Sequence, residues 1–268
     1  MNTTLLTNTF GIEGRVAVVT DSGSLASIDV APLLAAAGAT VIVADRDPEA
    51  VNALVAKITS AGGRATAIPT DVESESSVKA LFDRVGREFQ RFDILVNCAG
   101  VNANQPFVDT TLELFDQVNS VNLRSTFLAM REGVRLMLAK GNGGRIVNIT
   151  TMGALHPVLS GNAIYGATRS GVTMLTKSVA MDYAKERILV NLVMPGAVVG
   201  KTRFHENTLA SLQQGRKLTG PGVDAERRQP LGMGTGPDIA AAVLYLVGPA
   251  GGYITGQAIV LDGGFLCT

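Results

Sequence analysis

Apolar, β-rich runs alternate with segments of helical composition from one end of this chain to the other. No other feature restricts the fold as much. The runs are Arg15–Thr20, Thr40–Asp45, Arg64–Asp71, Phe92–Asn97, Gly144–Thr150, Ile188–Met194 and Gln257–Asp262. Between them lie Ile28–Ala37, Pro48–Ser60, Glu75–Phe89, Leu112–Ala139, Ala163–Lys185 and Pro237–Leu246. A strand that is apolar on both faces must be covered on both, as in a parallel sheet with helices above and below. Right-handed crossovers then wind such a chain into a three-layer, doubly wound α/β sheet.

The expectation is one Rossmann-like domain over residues 1–268, built on a central, mostly parallel, seven-stranded sheet. Glycine supplies 30 of 268 residues, above the ordinary ~7%, as many tight strand-to-helix turns require. Ala197–Pro230 carries Gly, Pro and charge with little periodicity and is expected to form a substrate lid. Lys and Arg number 23 against 23 Asp and Glu, which leaves no cation excess for a nucleic-acid surface. Met1–Phe10 is uncharged and without a long apolar stretch, so neither a secretory leader nor a membrane anchor is expected. Cys98 and Cys267 are too far apart in sequence for a redox or metal pair, and Cys98 reads as a buried thiol. No spacing of His, Cys or carboxylates suggests a metal site. These features describe a cytoplasmic protein acting on a small molecule, with no membrane or nucleic-acid partner.

Several short motifs, in this order, resemble the short-chain dehydrogenase/reductase superfamily over nearly the whole chain. They are Val16–Thr20, Asn97-Cys98-Ala99-Gly100, Val121-Asn122-Leu123, Ile146–Thr151, Tyr165 with a basic residue four later, Pro195-Gly196, and Thr255-Gly256-Gln257 with Asp262-Gly263-Gly264. In that family the first strand runs into Thr-Gly-x-x-x-Gly-x-Gly, whose glycines let backbone approach a dinucleotide diphosphate. Here the stretch is Thr20-Asp21-Ser22-Gly23-Ser24-Leu25-Ala26-Ser27, with Asp21, Leu25 and Ser27 at the three glycine positions. Asp21 would set a carboxylate near diphosphate charge, and Leu25 a branched side chain where cofactor and backbone meet. Pro32 would fall inside a helix that began near Ala26, at about 3 kcal/mol. The helix is therefore expected to start late, displacing the anion site at its N-terminus.

The same resemblance implies cofactor contacts at Asp45, which would favour NAD by bonding a ribose, and at Asp71, Val72, Asn97, Ala99 and Gly100. These residues also close strands and turns, so they would persist if a cofactor were lost. The family's catalytic Ser, Tyr, Lys and Asn correspond to Thr151, Tyr165, Arg169 and Asn122. Tyr165 and Arg169 are four apart and share one helical face. A guanidinium near the phenol would favour phenolate and yield a general base. Its wide fork is a poor substitute for an ammonium on ribose hydroxyls.

An altered glycine loop together with Arg for Lys resembles the halohydrin dehalogenases. That resemblance implies no nicotinamide cofactor and a Thr151/Tyr165/Arg169 centre. Tyr165 would take the hydroxyl proton, and the alkoxide would displace the neighbouring halide to close an epoxide. The anion pocket would draw on Thr20, Leu25, Pro195, Gly196 and His156. Two alternatives stand beside it. One is an NAD(H)-dependent oxidoreductase interconverting a secondary alcohol and a ketone. The other is a catalytically silent subunit of a homodimer or homotetramer, joined through the two long helices.

Overall fold

The computed structural model describes residues 3–21, 23–200, 217 and 219–268. Seven parallel strands form its centre: β1 (Val16–Thr20), β2 (Thr40–Asp45), β3 (Arg64–Pro69), β4 (Ile94–Asn97), β5 (Gly144–Ile149), β6 (Ile188–Pro195) and β7 (Ala258–Leu261). Their order across the sheet is β3-β2-β1-β4-β5-β6-β7. The longer helices are α1 (Thr3–Phe10), α2 (Leu25–Ala36), α3 (Pro48–Ser60), α4 (Glu75–Glu88), α5 (Leu112–Asn119), α6 (Ser125–Lys140), α7 (Ala163–Tyr183) and α8 (Gly236–Val247).

Strand period sorts the apolar side chains into two cores. Ala17, Val19, Val41, Val43, Ile94 and Val96 pack with α2, α3 and α8 on one face. Val16, Val18, Ile42, Ala44, Leu95 and Ile146 pack with α4 and α6 on the other. Because β1 sits between β2 and β4, successive crossovers leave β1 in opposite directions. That divergence opens a crevice over the C-terminal strand ends. Buried polar groups brace the strands below it. The Asn97 amide donates to Asn148 at 2.8 Å, and the Asn148 amide donates to Thr176 at 2.8 Å.

Most expected elements occur within a residue or two of their predicted ends. Three differ. Thr3–Phe10 is a helix, although its composition carried no helical signal. The expected Leu112–Ala139 helix is interrupted by one π turn at Ser120–Arg124. The third difference matters most for the site: α2 starts at Leu25 and runs straight through Pro32.

Pro32 does remove an amide, and the Ile28 carbonyl it would have bonded accepts instead from Lys57 Nζ at 3.5 Å. Val30, Ala31 and Leu34, all fully buried, are held in the core with α8. Tertiary packing of that face outweighs the local penalty. The expected late start and the displaced N-terminus are thus corrected. Among the described residues no helix is long and apolar enough to cross a membrane. Pro32→Ala restores the missing amide, and stability is expected to rise by about 1 kcal/mol once the loss of proline's unfolded-state restriction is deducted. The readout is a higher urea midpoint at unchanged m-value.

Candidate active site

A cavity of about 730 Å³ lies over the C-terminal ends of β1, β4, β5 and β6. Asp21, Ser24 and Ala26 border it from the turn between β1 and α2, and Cys98 and Gly100 from the turn after β4. Thr150 and Thr151 follow β5, Tyr165 and Arg169 come from α7, and Pro195 and Gly196 end β6. Val158, Leu159 and Gly222 close the outer side. There the Gly222 amide bonds the Val158 carbonyl at 2.8 Å and the Ser160 amide bonds the Thr219 carbonyl at 2.8 Å.

Two of the three residues at the family's glycine positions in the turn before α2, Asp21 and Ser27, are described with their side chains. Asp21 adopts the left-handed region at φ 61°, which Asp tolerates better than most side chains. Ser27 is fully buried, and its hydroxyl donates back to the Asp21 carbonyl. Ser24 caps α2, accepting from the Ser27 amide at 3.1 Å. The N-terminus of α2 therefore opens on the cavity, where its unpaired amides favour an anion. The side chain of Leu25 lies outside the described residues, as do 201–216 and 218 of the expected lid, including His205.

On α7, the i,i+4 relation of Tyr165 and Arg169 places the guanidinium over the phenol ring, 5.5 Å from its centroid. Arg169 is buried, and its Nη1 donates to the Ala99 carbonyl at 3.1 Å. Its fork lies flat on Gly100, where a Cβ would overlap Nη2. Only glycine leaves room for that seat. Three buried polar atoms at the cavity, Arg169 Nε, Thr150 Oγ1 and Asn162 Oδ1, have no hydrogen-bond partner among the described residues. Thr151 Oγ1 accepts from the Gly153 amide at 3.1 Å and borders the cavity next to Thr150.

Several predicted site residues make contacts within the frame outside the cavity lining. Asn122 does not line the cavity. Its side chain clips the Val101 backbone in both directions, at 2.8 and 2.9 Å, and donates to Thr168 at 3.0 Å. Thr20 lies beneath the pocket, where its hydroxyl accepts from the Cys98 amide at 3.1 Å. Asn97 belongs to the buried amide ladder, and Ala99 contributes only its carbonyl. Asp45 is buried at the end of β2, accepting from the Asp47 amide at 3.0 Å. Asp71 is exposed, accepting from the Glu73 amide at 3.0 Å, and Val72 is half-buried beside it. Asp45, Asp71 and Val72 stand apart from the cavity lining. His156 is at its rim, with Nδ1 2.7 Å from the Pro157 carbonyl.

Cys98 was legible as a buried thiol but not as part of the cavity wall. Its place directly after β4 was the available signal. Burial pushes the thiol well above its ordinary range, the Asp21 charge adds to this, and Arg169 opposes it. Gln229, which the sequence did not single out, ties the cavity's far edge by donating to the Asp262 carbonyl at 3.1 Å.

Residues 23–266 match the family model described as enoyl-(acyl carrier protein) reductase. The chain is 33% identical to cyclopentanol dehydrogenase of Comamonas sp., over 95% of this chain and 98% of that protein. It superposes with a TM-score of 0.86 on a putative NAD(P)-dependent gluconate 5-dehydrogenase from Beutenbergia cavernae with bound NADP, at 29% identity, covering 97% of this chain and 100% of the other. A 7α-hydroxysteroid dehydrogenase complexed with NADH and 7-oxo glycochenodeoxycholic acid gives 0.84 at 28% identity, covering 96% of each chain. The chain belongs to the short-chain dehydrogenase/reductase family of enzymes. Dehydrogenase relatives at full length, and neighbours holding NADP and NADH, overturn the expectation of a cofactor-independent halohydrin dehalogenase.

The residues present also fit a dinucleotide. The α2 N-terminus opens on the cavity, and Asp45 ends β2. Three buried polar atoms of the lining have no hydrogen-bond partner among the described residues. Asp21, Ser27 and Pro32 are accommodated by local structure. Two outcomes follow. A disulfide reagent is expected to modify exposed Cys267 in the folded protein and Cys98 only on unfolding. Gly100→Ala is expected to destabilise by about 2 kcal/mol. In an Arg169→Ala background that loss is expected to shrink by at least about 1 kcal/mol in a urea-melt double-mutant cycle.

Proposed function

We propose that this chain is an NAD(H)-dependent oxidoreductase interconverting a secondary alcohol and a ketone. One observation carries the reading: a single cavity runs from the N-terminus of α2 to Tyr165 and Thr151, so dinucleotide and substrate would share one space. The α2 amides would hold the diphosphate, and Asp45 would accept from the adenosine ribose hydroxyls, favouring NAD. Asp71, Val72 and Asn97 would border the adenine side, with Gly100 and the Pro195-Gly196 backbone against the nicotinamide half. The nicotinamide supplies the hydride acceptor in oxidation and the donor in reduction.

The substrate hydroxyl would lie between Thr151 and Tyr165. Thr151 Oγ1 donates to the substrate oxygen and fixes its direction. Tyr165 Oη takes the hydroxyl proton as the carbonyl forms and returns it in the reverse reaction. Arg169, stacked on the Tyr165 ring and anchored on Ala99, holds that ring in place, and its Nε–H remains to bond a ribose hydroxyl. Ala154, Leu155, Val158 and Leu159 make the substrate wall apolar, which suits a small or medium neutral alcohol. Exposed Leu112 and Phe115 on α5, with Met174 and Met181 on α7, support a homodimer or homotetramer. A cytoplasmic location accords with NAD(H) use.

Oxidation of a panel of secondary alcohols, cyclopentanol included, is followed by absorbance of reduced nicotinamide. Tyr165→Phe is expected to lower kcat by about 10²–10⁴-fold while ADP-ribose affinity stays within about twofold. Failure of every alcohol to reduce NAD, and of the matching ketones to consume NADH, refutes the proposal.

A further inference from the structure

Four arginines stand in a row at the N-terminal edge of the sheet, opposite the end that carries the cavity. Arg15 directly precedes β1, Arg91 comes shortly before β4, Arg145 is the second residue of β5, and Arg187 directly precedes β6. These strands are neighbours in the sheet, and backbone bonds fix the row. The Asp93 amide donates to the Val16 carbonyl at 3.0 Å, the Arg145 amide to the Asp93 carbonyl at 2.8 Å, and the Gly144 amide to the Arg187 carbonyl at 3.1 Å. Strand period puts Arg15 on the face of Ala17 and Val19, and Arg145 on that of Val147 and Ile149, which is the α8 side. Both side chains accordingly reach the segment that ends α8. Arg15 Nη1 donates to the Val247 carbonyl at 2.8 Å, and Arg145 Nη2 lies 3.9 Å from where a Cβ on Gly252 would stand. Arg145 Nη1 donates to the Gly144 carbonyl at 3.0 Å and reaches the Arg187 carbonyl at 3.5 Å.

Asp93 is the carboxylate that pairs with this row among the described residues, and its oxygens are occupied. It is buried, takes Arg91 through two bonds of 2.7 Å, and accepts from the Val16 amide at 2.9 Å. Among the described residues Arg15, Arg145 and Arg187 form no ion pair within 4.0 Å. Burial lowers the pKa of Arg145, and the Arg15 and Arg187 charges lower it further. Arg145 Nε is buried with no hydrogen-bond partner among the described residues. Like charges held side by side and partly desolvated call for a counter-charge. The carbonyls ending α8 supply only about half a unit of negative charge. We propose that Arg15, Arg145 and Arg187 form a binding site for a phosphate-type oxyanion, either inorganic phosphate or the phosphoryl group of a small monoester. Guanidinium forks present paired N–H donors that match such an anion. The site lies at the far edge of the sheet from the cavity and is independent of the dinucleotide reading.

Inorganic phosphate and glycerol phosphate are titrated at constant ionic strength, balanced with chloride, while the urea midpoint is followed. The wild-type midpoint is expected to rise and its apparent stability to follow single-site binding. An equal response to glycerol phosphate identifies a phosphomonoester as the ligand class, and a response to inorganic phosphate alone identifies the free ion. Arg187 is exposed, and its side chain makes no hydrogen bond among the described residues, so Arg187→Gln leaves the fold intact. It is expected to weaken phosphate by at least about tenfold, as is Arg145→Gln. Without phosphate, Arg187→Gln is expected to be more stable than the wild type because one repulsion is gone, and excess phosphate is expected to reverse that order. Arg84→Gln removes the same charge from α4, where Arg84 pairs with Glu88, and is expected to leave phosphate affinity within about twofold. A phosphate response no larger than that to chloride overturns the inference. So does a response unchanged in Arg145→Gln and Arg187→Gln, which would place the ion elsewhere, as at the α2 N-terminus. An equal loss in Arg84→Gln overturns it as well, since general charge and not this row would be responsible.

Discussion

The need to bury both faces of the central strands governs this molecule. Val18, Val19, Ile42, Val43, Leu95 and Val96 are fully inaccessible, and each adjacent pair points to opposite sides of the sheet. Only helices on both faces satisfy that demand, and parallel strands need crossovers that place them there. Once β1 lies between β2 and β4, the chain must diverge at its C-terminal end. The cavity occupies that divergence. Residues at the ends of four strands form its floor, so site geometry follows in part from sheet order.

Local conflicts were resolved in favour of that arrangement. Pro32 argues against a continuous α2, yet burial of Val30, Ala31 and Leu34 holds the helix, and Lys57 covers the orphaned Ile28 carbonyl. Asp21 and Ser27 occupy glycine positions, yet one takes a positive φ and the other bonds its carbonyl. Both resolutions use side chains distant from the residue in question or a conformation that residue type does not advertise. Residue type alone suggested a lost cofactor site, whereas α2 still starts at Leu25 with its N-terminus on the cavity.

Arg169 shows the same principle inside the site. Its role depends on Gly100 and Ala99, some seventy residues earlier in the chain, which leave a flat seat and a carbonyl for the fork. The guanidinium is thereby fixed over the Tyr165 ring. Asn122 shows the converse. From a π turn it clips the Val101 backbone, shaping the loop after Gly100 from behind.

The sequence by itself determined the strand and helix alternation and the parallel sheet covered by helices on both faces. Period and burial are properties of neighbouring residues, so they are written locally. Tertiary structure alone decided where α2 begins and which candidates face the cavity. It also decided that Cys98 and Thr150 belong to the wall and that Asp21 shares that cavity with Arg169. These outcomes depend on contacts between residues far apart in the chain, such as Lys57 with Ile28 and Arg169 with Ala99. Short-range sequence pattern carries no record of such contacts.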